Sequence, residues 1–568
     1  MSQNNIELPK LPMGVSDFNE LITQGYLFVD KTNFIKDVIQ DGAKVILLTR
    51  PRRFGKTLTL SMLYYFLQCQ QPLHRNLFEN LSISQDKSFC DKHQNKYPVI
   101  FISFKEIKQS SYEGAYAEIV TLIRSLYAEH RYLLENDVLA EDEKKLFHDI
   151  LNQRAMASNI HESIRQLSIY LDKKFGVKPM ILIDEYDAPI QIAYLEGYYE
   201  PMIKLMRSIF GYSLKDNTNT HFSKGVVTGI ARIAQESLFS GVNNFEAYSV
   251  LKSKYGQYFG FTEPEVIDLI NKTGNTVKLD IVKEWYNGYK IGSHLVYNPW
   301  SIIMCLKNDG DIGPHWLNTS NNDLVRTLVE KGGFRMRSQF ELLLQGENVQ
   351  KPLMENLVFP DLENDEEAVW SLLLYAGYLT SSSTSRDRFA LFGQVSVPNK
   401  EVMCIYDKII SKWFKISDSL ESYRELVKAL LEENMDELKR HIQEYLLESG
   451  SYFDFNQNTP EKVFQGFMLG LVIGLKDHYT IQSNQESGLG RFDMVFIPKE
   501  NERGGILLEF KVGSEDNLVQ KANEALQQIK DKKYLITFKS HGVKAVLAIG
   551  MAFCGKQVGI EHERIEVE

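Results

Sequence analysis

The sequence predicts an α/β protein of several domains, and three observations lead to this fold class. At 568 residues the chain exceeds the roughly 100–200 residues of an average domain, so we expect more than one hydrophobic core. Its first half alternates short, almost continuous apolar runs with long amphipathic segments, which is typical of parallel strands covered by helices. Strands and a helix recur after residue 450, which predicts a second α/β unit.

Composition and charge exclude several other classes of protein. Hydrophobic residues make up 43% and charged residues 24%, which excludes wholesale disorder. The net charge of −10 argues against a chain wrapped in nucleic acid, although a local basic site stays compatible with it. Five cysteines without CxxC spacing argue against a zinc site or a disulfide scaffold and favour a reducing compartment. No apolar run reaches the ~20 residues of a membrane span, and the N-terminus lacks a signal-peptide pattern, so we expect a cytoplasmic protein.

The elements of the first half follow from these runs. The predicted strands are Lys44–Thr49, Pro98–Phe104, Met180–Asp184 and Gly225–Gly229, with helical stretches such as Lys56–Gln68 and Gly114–His130 between them. From about 250 to 330 the pattern becomes helical and aromatic, and Thr262–Glu265 (TEPE) predicts a capping box that begins a helix.

The remaining elements form a connector and a C-terminal unit. A helix (Glu366–Tyr378), an alternating run (Phe389–Val397) and a further helix after Asn399 are compatible with a winged-helix connector. The C-terminal unit follows, and its predicted elements are helix Glu461–Lys476, strands Tyr479–Ser483, Arg491–Ile497 and Ile506–Val512, helix Asn517–Lys532 and strand Lys544–Gly550.

The end of the first strand carries a candidate phosphate-binding loop. Gly55-Lys56-Thr57 matches the end of the pattern GxxxxGK[ST], although Arg50 stands where that pattern has its first Gly. Backbone N–H groups at a helix N-terminus hold phosphate oxygens, Lys56 adds positive charge, and the Thr57 hydroxyl can ligate Mg²⁺. The alternative is a charged turn before a helix. The predicted nucleotide-binding residues of this loop are Arg53, Phe54, Gly55, Lys56, Thr57 and Leu58.

Acidic residues at the end of Met180–Asp184 favour the nucleotide site over that alternative. In a P-loop NTPase, a strand beside the loop strand ends in an Asp that holds Mg²⁺ through water, and a following Glu activates the attacking water. Asp184 and Glu185 fit these roles, and we expect Asp184 and Thr57 at the ends of neighbouring strands. Thr228, at the end of the next strand, and Arg232 are candidate sensors of the γ phosphate. The alternatives are that Thr228 is an ordinary residue at a strand end and that Arg232 is solvated, and both are equally compatible with the sequence.

Together these motifs resemble the bacterial AAA-ATPase-like family. The resemblance covers roughly residues 8–330, and the matching runs are Val29–Thr32 (VDKT), Arg50–Thr57 (RPRRFGKT), Leu182–Ile190 (LIDEYDAPI), Thr228–Asn244 and Trp285–Ser301. In that family the loop begins with Arg, so Arg50 is usual there. The resemblance implies an ATP-binding P-loop NTPase core of the additional-strand type with a helical lid.

A second candidate site lies in the C-terminal unit. Glu509 and Lys511 are two residues apart on a strand and therefore share one face. If the loop of the hairpin is centred near Asn501, Asp493 lies opposite Glu509, with the two Cβ atoms about 5 Å apart. A divalent cation between them would relieve their repulsion, and oxygen ligands suit Mg²⁺. An edge hairpin with exposed charges is the alternative, but the apolar flanking residues favour a central hairpin.

This region resembles the PD-(D/E)XK nuclease superfamily domain. The matching stretches are helix Glu461–Gly474, Ser487–Asp493 (SGLGRFD), Leu507–Val512 (LLEFKV) and Glu524–Tyr534 (EALQQIKDKKY). The resemblance implies a restriction-endonuclease-like fold, catalytic roles for Asp493, Glu509 and Lys511, and a metal-site acid at Glu461. Gln528 matches a polar position on the helix after the core. For Glu461 the alternative is an ordinary first-turn acid, since Thr459-Pro-Glu461 also matches a helix cap followed by Pro. For Gln528 a solvated helix face is equally compatible with the sequence.

We expect four domains: a P-loop ATPase core (1–245), a helical lid (246–330), a helical or winged connector (331–445) and a nuclease-like domain (446–568). The expected activity is ATP binding and hydrolysis together with Mg²⁺-dependent cleavage of nucleic acid, DNA rather than RNA, in genome defence or mobile-element biology. A homo-oligomer is compatible with this organisation, and no membrane partner is expected. The alternative is an ATP-dependent switch whose nuclease-like domain binds but does not cut.

Overall fold

A computed structural model describes residues 9–135, 138–215, 221–233, 238, 245–316, 323–330, 334–344, 346–363, 365–388, 390–413, 420–449, 464, 468, 475, 478–483, 486–487, 490–491, 493–499, 504–531 and 534–567. The chain divides into two compact units. The first comprises residues 1–328 with 346–404, and the second comprises 329–345 with 405–568, so the units alternate along the sequence. Among the described helices, none has the length and apolarity that a membrane crossing needs.

The first unit is built on a parallel sheet of five strands: β1 Val45–Thr49, β2 Val99–Ser103, β3 Met180–Asp184, β4 Lys224–Gly229 and β5 Phe245–Tyr248. Every residue of β1, β3 and β4 is buried, as expected for strands covered on both faces. The four predicted strands are confirmed to within a residue or two. The sequence analysis missed β5, which has only four residues, two of them half-buried.

The strand order β2-β3-β4-β1-β5 is that of an additional-strand P-loop core. The expectation that the Asp184 strand neighbours the loop strand is wrong, because β4 lies between them and pairs with both. The sequence distances between these strands do not determine their order in the sheet. In any order, the three parallel strands would end at the same edge.

Helices precede and connect the strands of this sheet along the chain. They are α1 Phe18–Thr23, α2 Asn33–Gln40, α3 Lys56–Leu67, α4 Lys87–His93, α5 Tyr112–Glu129, α6 Glu141–Leu151, α7 Ala157–Phe175, α8 Ala188–Leu195 and α9 Tyr199–Leu214. Local signals set their ends: the Ser111 hydroxyl accepts from the N–H of Gly114 at the start of α5, and α7 ends at Gly176, which has a φ of 65°. Short 3₁₀ helices lie at Arg75–Phe78, Ser82–Gln85, Arg131–Leu134, Gly256–Tyr258 and Phe359–Glu363.

A helical part with a small hairpin follows the sheet. It contains α10 Glu263–Lys272, α11 Leu279–Tyr286, β6 Tyr289–Ile291, β7 His294–Val296, α12 Pro299–Lys307 and α13 Asp323–Glu330. Its own core is formed by Val266, Leu269, Val282, Tyr286, Tyr297, Ile302, Cys305 and Leu306. The Glu265 carboxylate accepts from the N–H of Thr262 at 2.8 Å, as the capping-box pattern predicts, and also pairs with Lys31 beside α2.

The last part of the first unit is an antiparallel sheet with a helix. It comprises β8 Val349–Leu353, α15 Glu366–Ala376, β9 Thr380–Asp387 and β10 Ala390–Ser396, and the strand order is β8-β10-β9. A further helix, α16 Lys400–Trp413, begins in this unit. The fully buried Glu401 carboxylate accepts from the Ser301 hydroxyl and the N–H of Trp316, both at 2.7 Å. The amide of Asn399 donates to the Asn287 carbonyl at 2.7 Å, so residues 399–401 hold two aromatic turns of the helical part, at residues 286–289 and 297–301.

The second unit contains a mixed sheet of five strands. Its helices are α14 Phe334–Leu344, α17 Leu420–Leu431, α18 Met435–Ser449, α19 Leu518–Asp531 and α20 Ile536–Lys539, with a 3₁₀ turn at Glu515–Asn517. The sheet order is β11-β14-β15-β16-β17, formed by Tyr479–Ser483, Met494–Pro498, Gly505–Val512, Ala545–Cys554 and Gln557–Glu566. A separate ribbon pairs β12 Glu486–Ser487 with β13 Gly490–Arg491.

The register of the β14–β15 hairpin agrees with the sequence prediction. Met494 pairs with Leu508 and Phe496 with Ile506, so paired residues are arranged about position 501. The hairpin is central, since β11 flanks β14 and β16 flanks β15. The predicted helix Glu461–Lys476 lies outside the described residues apart from three isolated positions, and β17 was missed because its residues are largely polar.

Candidate active sites

The loop between β1 and α3 owes its shape to residues with left-handed backbone conformations. Gly55 has a φ of 82° and directly precedes α3, and Arg53 has a φ of 68°. Glycine adopts such a conformation without steric cost, so Gly55 is required by the backbone itself. The N-terminus of α3 therefore follows the loop immediately, in the arrangement that binds phosphate through backbone N–H groups.

Arg50 joins two strands of the sheet below this loop. Its guanidinium is fully buried and donates to the carbonyls of Thr49 (2.7 Å) and Tyr248 (2.6 Å), which joins β1 to the end of β5. It also lies 5.1 Å from the ring centroid of Phe259. Burial lowers the pKa of Arg50 to about 9. The residue that departs from the general P-loop pattern is thus a packing and hydrogen-bonding residue below the phosphate loop.

Lys56 lies inside the loop, with its ammonium group bound to the loop's own backbone. Its Nζ donates to the carbonyls of Arg50 (3.1 Å) and Pro51 (3.0 Å), and only 4% of the residue is exposed. Burial lowers the pKa of Lys56, and the nearby carboxylates of Glu185, Asp187 and Asp184 oppose this shift. The ammonium group therefore lies among the residues that sequence analysis assigned to phosphate and metal binding.

Asp184 is the centre of the hydrogen-bond network at the edge of the sheet. Thr57 donates to its Oδ2 at 2.8 Å, Thr228 donates to its Oδ1 at 2.7 Å, and the hydroxyl of Ser103 lies 3.4 Å from Oδ2. The predicted proximity of Thr57 and Asp184 is confirmed, and the contact is direct rather than through water. Sequence reasoning missed Ser103, although a polar residue at the end of an apolar strand was an available signal.

This donor set consists of oxygen atoms alone, which suits Mg²⁺. A hydroxyl and a carboxylate at the edge of a sheet are the ligands that nucleotide-bound Mg²⁺ takes in P-loop proteins. Thr57 and Asp184 fit the ion for this reason, with Thr228 and Ser103 holding the carboxylate from neighbouring strands.

Glu185 has an uncommon backbone conformation next to Asp184. Its φ is 49°, and its N–H lies 3.4 Å from the Thr228 hydroxyl. Non-glycine residues with positive φ are uncommon and occur often at functional sites. Burial lowers the pKa of Arg53 and that of Lys56, and the negative charge of Glu185 opposes both shifts. Its predicted role as a base stays a prediction.

The remaining loop residues contact the helical part of the same unit. The Arg53 guanidinium lies 4.4 Å from the ring centroid of Trp300, and Phe54 packs edge-on against Tyr289 with centroids 5.0 Å apart. Phe54 is almost fully buried and Leu58 is half-buried, so these two positions serve packing as well as any backbone contact to a nucleotide. Residues of both aromatic turns, at 286–289 and 297–301, thus contact the phosphate loop.

Arg232 contacts the start of β5. Its guanidinium lies 5.9 Å from the ring centroid of Phe245, and its carbonyl accepts from the N–H of Leu357 at 2.9 Å. Thr228 is therefore brought to Asp184, whereas Arg232 is half-buried beside the start of β5. A role for Arg232 at the phosphates stays a prediction.

The second candidate site lies on the face of β15 that α19 covers. Asp493 directly precedes β14, its Oδ2 accepts from the N–H of Phe510 at 2.8 Å, and continuing the register places it opposite Glu509. Glu509 is 2% exposed, and its Oε1 accepts from the amide of Gln528 on α19. The two carboxylates therefore share one side of the sheet. Gln528, predicted as a polar helix position, belongs to this site.

Lys511 and Tyr534 complete this group. The period of two along β15 places Lys511 on the side of Glu509. The hydrogen bond from Lys521 is the main cause that lowers the pKa of Glu524 on α19, and the positive charge of Lys511 lowers it further. Burial raises the pKa of Tyr534, its hydrogen bond to Gln528 opposes this, and the charges of Glu509 and Asp493 raise it further. Sequence reasoning missed Tyr534 as a site residue.

The metal-binding capacity of this site rests on a pair of acids. Within the described part of the chain, no three His, Cys, Asp or Glu side chains lie together as a ready metal cluster. Asp493 and Glu509 supply two carboxylates on one face, a donor set that fits Mg²⁺. Glu461, the predicted third ligand, lies outside the described residues.

Comparison with known families matches each unit to a different group. Residues 12–239 match the family model described as predicted AAA-ATPase, and residues 459–563 match that of the PD-(D/E)XK nuclease superfamily. The chain joins an AAA-ATPase-like domain to a PD-(D/E)XK superfamily domain. The AAA-ATPase-like match includes Lys56, Asp184 and Thr228, and the PD-(D/E)XK match includes Asp493 and Glu509. The domain architecture implied by the sequence resemblance is confirmed.

The comparisons also matched two individual proteins to much of this chain. One, from Azotobacter chroococcum mcd 1, is described as an uncharacterized protein in the vnfD 5' region; it is 25% identical over 572 residues, with 96% of each chain covered. The other is a solved Walker-type ATPase of Pyrococcus abyssi, which is 11% identical with a TM-score of 0.33 and covers 71% of this chain and 98% of its own.

Proposed function

We propose that the AAA-ATPase-like domain binds ATP with Mg²⁺ and hydrolyses it. The observation that carries this proposal is the Asp184 carboxylate, which holds the hydroxyls of Thr57 and Thr228 at 2.8 and 2.7 Å. Thr57 and Asp184 would hold Mg²⁺, which would neutralise phosphate charge when bound. Lys56 would exchange two loop carbonyls for phosphate oxygens. Glu185 would orient and deprotonate the attacking water.

The PD-(D/E)XK domain would cleave phosphodiester bonds in DNA with Mg²⁺. Asp493 and Glu509 face one another across the hairpin, and Lys511 follows on the same side. The two carboxylates would hold the ion, which activates water and neutralises phosphate charge when bound. Lys511 would stabilise the charge that develops on the scissile phosphate. Gln528 on α19 would hold the Glu509 carboxylate, and Tyr534 would hold Gln528.

The two activities would belong to one ATP-regulated nuclease acting in genome defence or on mobile elements. DNA is the expected substrate because the PD-(D/E)XK resemblance favours it. The cytoplasm is the expected location, because five cysteines without CxxC spacing favour a reducing compartment.

Cleavage assays on the purified protein test both activities. Supercoiled plasmid, linear DNA and RNA are incubated with and without Mg²⁺ and ATP, and phosphate release is measured in parallel. Asp493→Ala should abolish cleavage and leave ATP binding unchanged. Asp516→Ala, an exposed acid of the same domain, is the matched control.

The nucleotide site is tested by calorimetry. Lys56→Ala should lose ATP binding because the phosphates lose their main cationic partner, whereas Lys145→Ala on the exposed side of α6 should bind normally. Wild-type affinity in Lys56→Ala would refute the P-loop assignment. Equal cleavage by Asp493→Ala and wild type would refute the nuclease assignment and leave the switch alternative.

A further inference from the structure

A buried acid next to the ATPase site has no part in the roles assigned above. Asp187 lies two residues after Glu185 and is 1% exposed. Its Oδ2 accepts from the N–H groups of Ile230 (2.8 Å) and Ala231 (3.3 Å), in the segment that follows Thr228. The acid therefore anchors the backbone that leads from β4 to Arg232.

Tyr186 holds the same segment through a second pair of contacts. Its hydroxyl donates to the Ala231 carbonyl at 2.7 Å and accepts from the N–H of Ile233 at 3.0 Å. A Cβ on Gly229 would stand 2.5 Å from the Tyr186 ring, so the close approach requires glycine. The backbone of residues 229–233 is thus fixed by the two residues that follow Glu185.

Gln191 connects this anchor to the phosphate loop. Its amide nitrogen donates to Asp187 at 3.0 Å, and its amide oxygen accepts from the Arg52 guanidinium at 3.1 Å. Arginine only donates and a carboxylate only accepts, so the orientation of the amide follows from its two partners. Gln191 is 6% exposed, which shields both bonds from competition by water.

Arg52 lies in the loop itself, near the group that would bind phosphate. Arg52 directly follows Pro51, whose carbonyl accepts from the Lys56 Nζ at 3.0 Å. The backbone of Arg52 therefore adjoins the acceptor of the Lys56 ammonium group. An anionic phosphate oxygen is a stronger acceptor for a guanidinium than a neutral amide oxygen. A γ phosphate in the loop would compete with Gln191 for Arg52.

We propose that Gln191 is a positioning residue that reports the presence of the γ phosphate, through Arg52, to the backbone at residues 230–233. With ADP, Arg52 stays on Gln191, and Gln191 stays on Asp187. With ATP, Arg52 moves to the phosphate, the Gln191 amide loses one of its two fixed partners, and the Asp187 anchor of residues 230 and 231 is altered. This inference rests on the proposed ATPase function and adds the regulation of that site.

The variant Gln191→Leu removes both hydrogen bonds and keeps most of the side-chain volume. Affinity for ATP should stay within about threefold, because binding by Lys56 and the loop backbone is retained. The turnover number should fall at least tenfold with little change in KM. Gln166→Leu, at a half-buried position on α7, is the matched control. Arg52→Gln should reproduce the loss from the other end of the connection, which covers the case in which Gln191→Leu folds poorly.

Hydrogen exchange gives a measurement that would not depend on the nucleotide if Gln191 had only a structural role. Amides in the peptide containing residues 229–233 should exchange differently with ADP and with a non-hydrolysable ATP analogue in wild type. The difference should disappear in Gln191→Leu. Unchanged turnover, a change in KM alone, or a difference that persists in the variant would overturn the proposal. If wild type neither binds nor hydrolyses ATP, the proposed function fails first and this inference fails with it.

Discussion

Replacing Glu401 with Gln should remove a pH dependence from the stability of the first unit. Burial raises the pKa of Glu401 from its ordinary value of 4.5 to about 7, against hydrogen bonds from the N–H of Trp316, the Ser301 hydroxyl and the N–H of His315 that favour the ionised form. Between these two pH values the folded chain holds a proton that the unfolded chain has lost. The free energy of unfolding therefore decreases as pH rises through this window.

The size of the effect follows from the separation of the two pKa values. Each pKa unit corresponds to about 1.4 kcal/mol, so ionising Glu401 in the fold costs about 3 kcal/mol, all of it present above pH 7. Glutamine is neutral at every pH. Its oxygen can accept from Trp316, and its nitrogen can donate to the Ser301 hydroxyl, which also accepts. Glu401→Gln should match wild type near pH 4.5 and exceed its stability by up to about 3 kcal/mol at pH 8.

Urea unfolding followed by tryptophan fluorescence at pH values from 5 to 8 measures this difference. Trp285, Trp300, Trp316 and Trp370 belong to the first unit and report its unfolding. Glu347→Gln removes an exposed acid and should differ from wild type by a constant amount at all pH values. A Glu401→Gln curve that stays parallel to wild type would mean that the three donors keep Glu401 ionised, and the burial argument would be wrong.

Three further changes test other parts of the structure. In a urea titration, Gly229→Ala should lower the free energy of unfolding by about 1–3 kcal/mol, because the added methyl group would collide with the Tyr186 ring. The control is Gly211→Ala, where the methyl group meets open space; this variant should be neutral or slightly stabilising. Arg50→Lys should lower the free energy of unfolding by about 2 kcal/mol, because an ammonium group cannot replace the planar guanidinium between two buried carbonyls. An unchanged melting temperature would contradict the role of Arg50 in joining β1 to β5. Tyr534→Phe should slow DNA cleavage about tenfold through loss of one hydrogen bond, with unchanged thermal unfolding as its control; an unchanged rate would exclude Tyr534 from the site.

The parts of the fold that sequence analysis predicted are those with strong local signals. Buried strands such as β1 and β3 read as continuous apolar runs, and the centre of the polar loop after β14 fixed the register that places Asp493 opposite Glu509. The contact between Thr57 and Asp184 followed because parallel strands end at one edge of the sheet. In each case a short segment of sequence determines the geometry.

The missed features depend on distant partners. The place of β4 between β1 and β3 is set by packing, which leaves no pattern in any one strand. In the sequence, Arg50 resembles an ordinary charged residue of a loop. Its buried position depends on partners such as the Tyr248 carbonyl, which is distant in the sequence. Gln191 gives no signal at all in sequence, because its meaning comes from the two charged side chains that its amide joins.

The alternation of the two units along the chain has a consequence during synthesis. The first unit needs residues up to 404, including Asn399 and Glu401, to hold the turns that cover the phosphate loop. Residues 329–345 leave the ribosome earlier, yet they belong to a unit whose main part begins at residue 405. At about 5–20 residues per second, synthesis of the chain from residue 345 to residue 568 takes roughly 11–45 seconds, and residues 329–345 wait for this time. The segment carries apolar side chains such as Met336 and Phe340, which are buried in the folded protein and would be exposed to chaperones until the second unit forms.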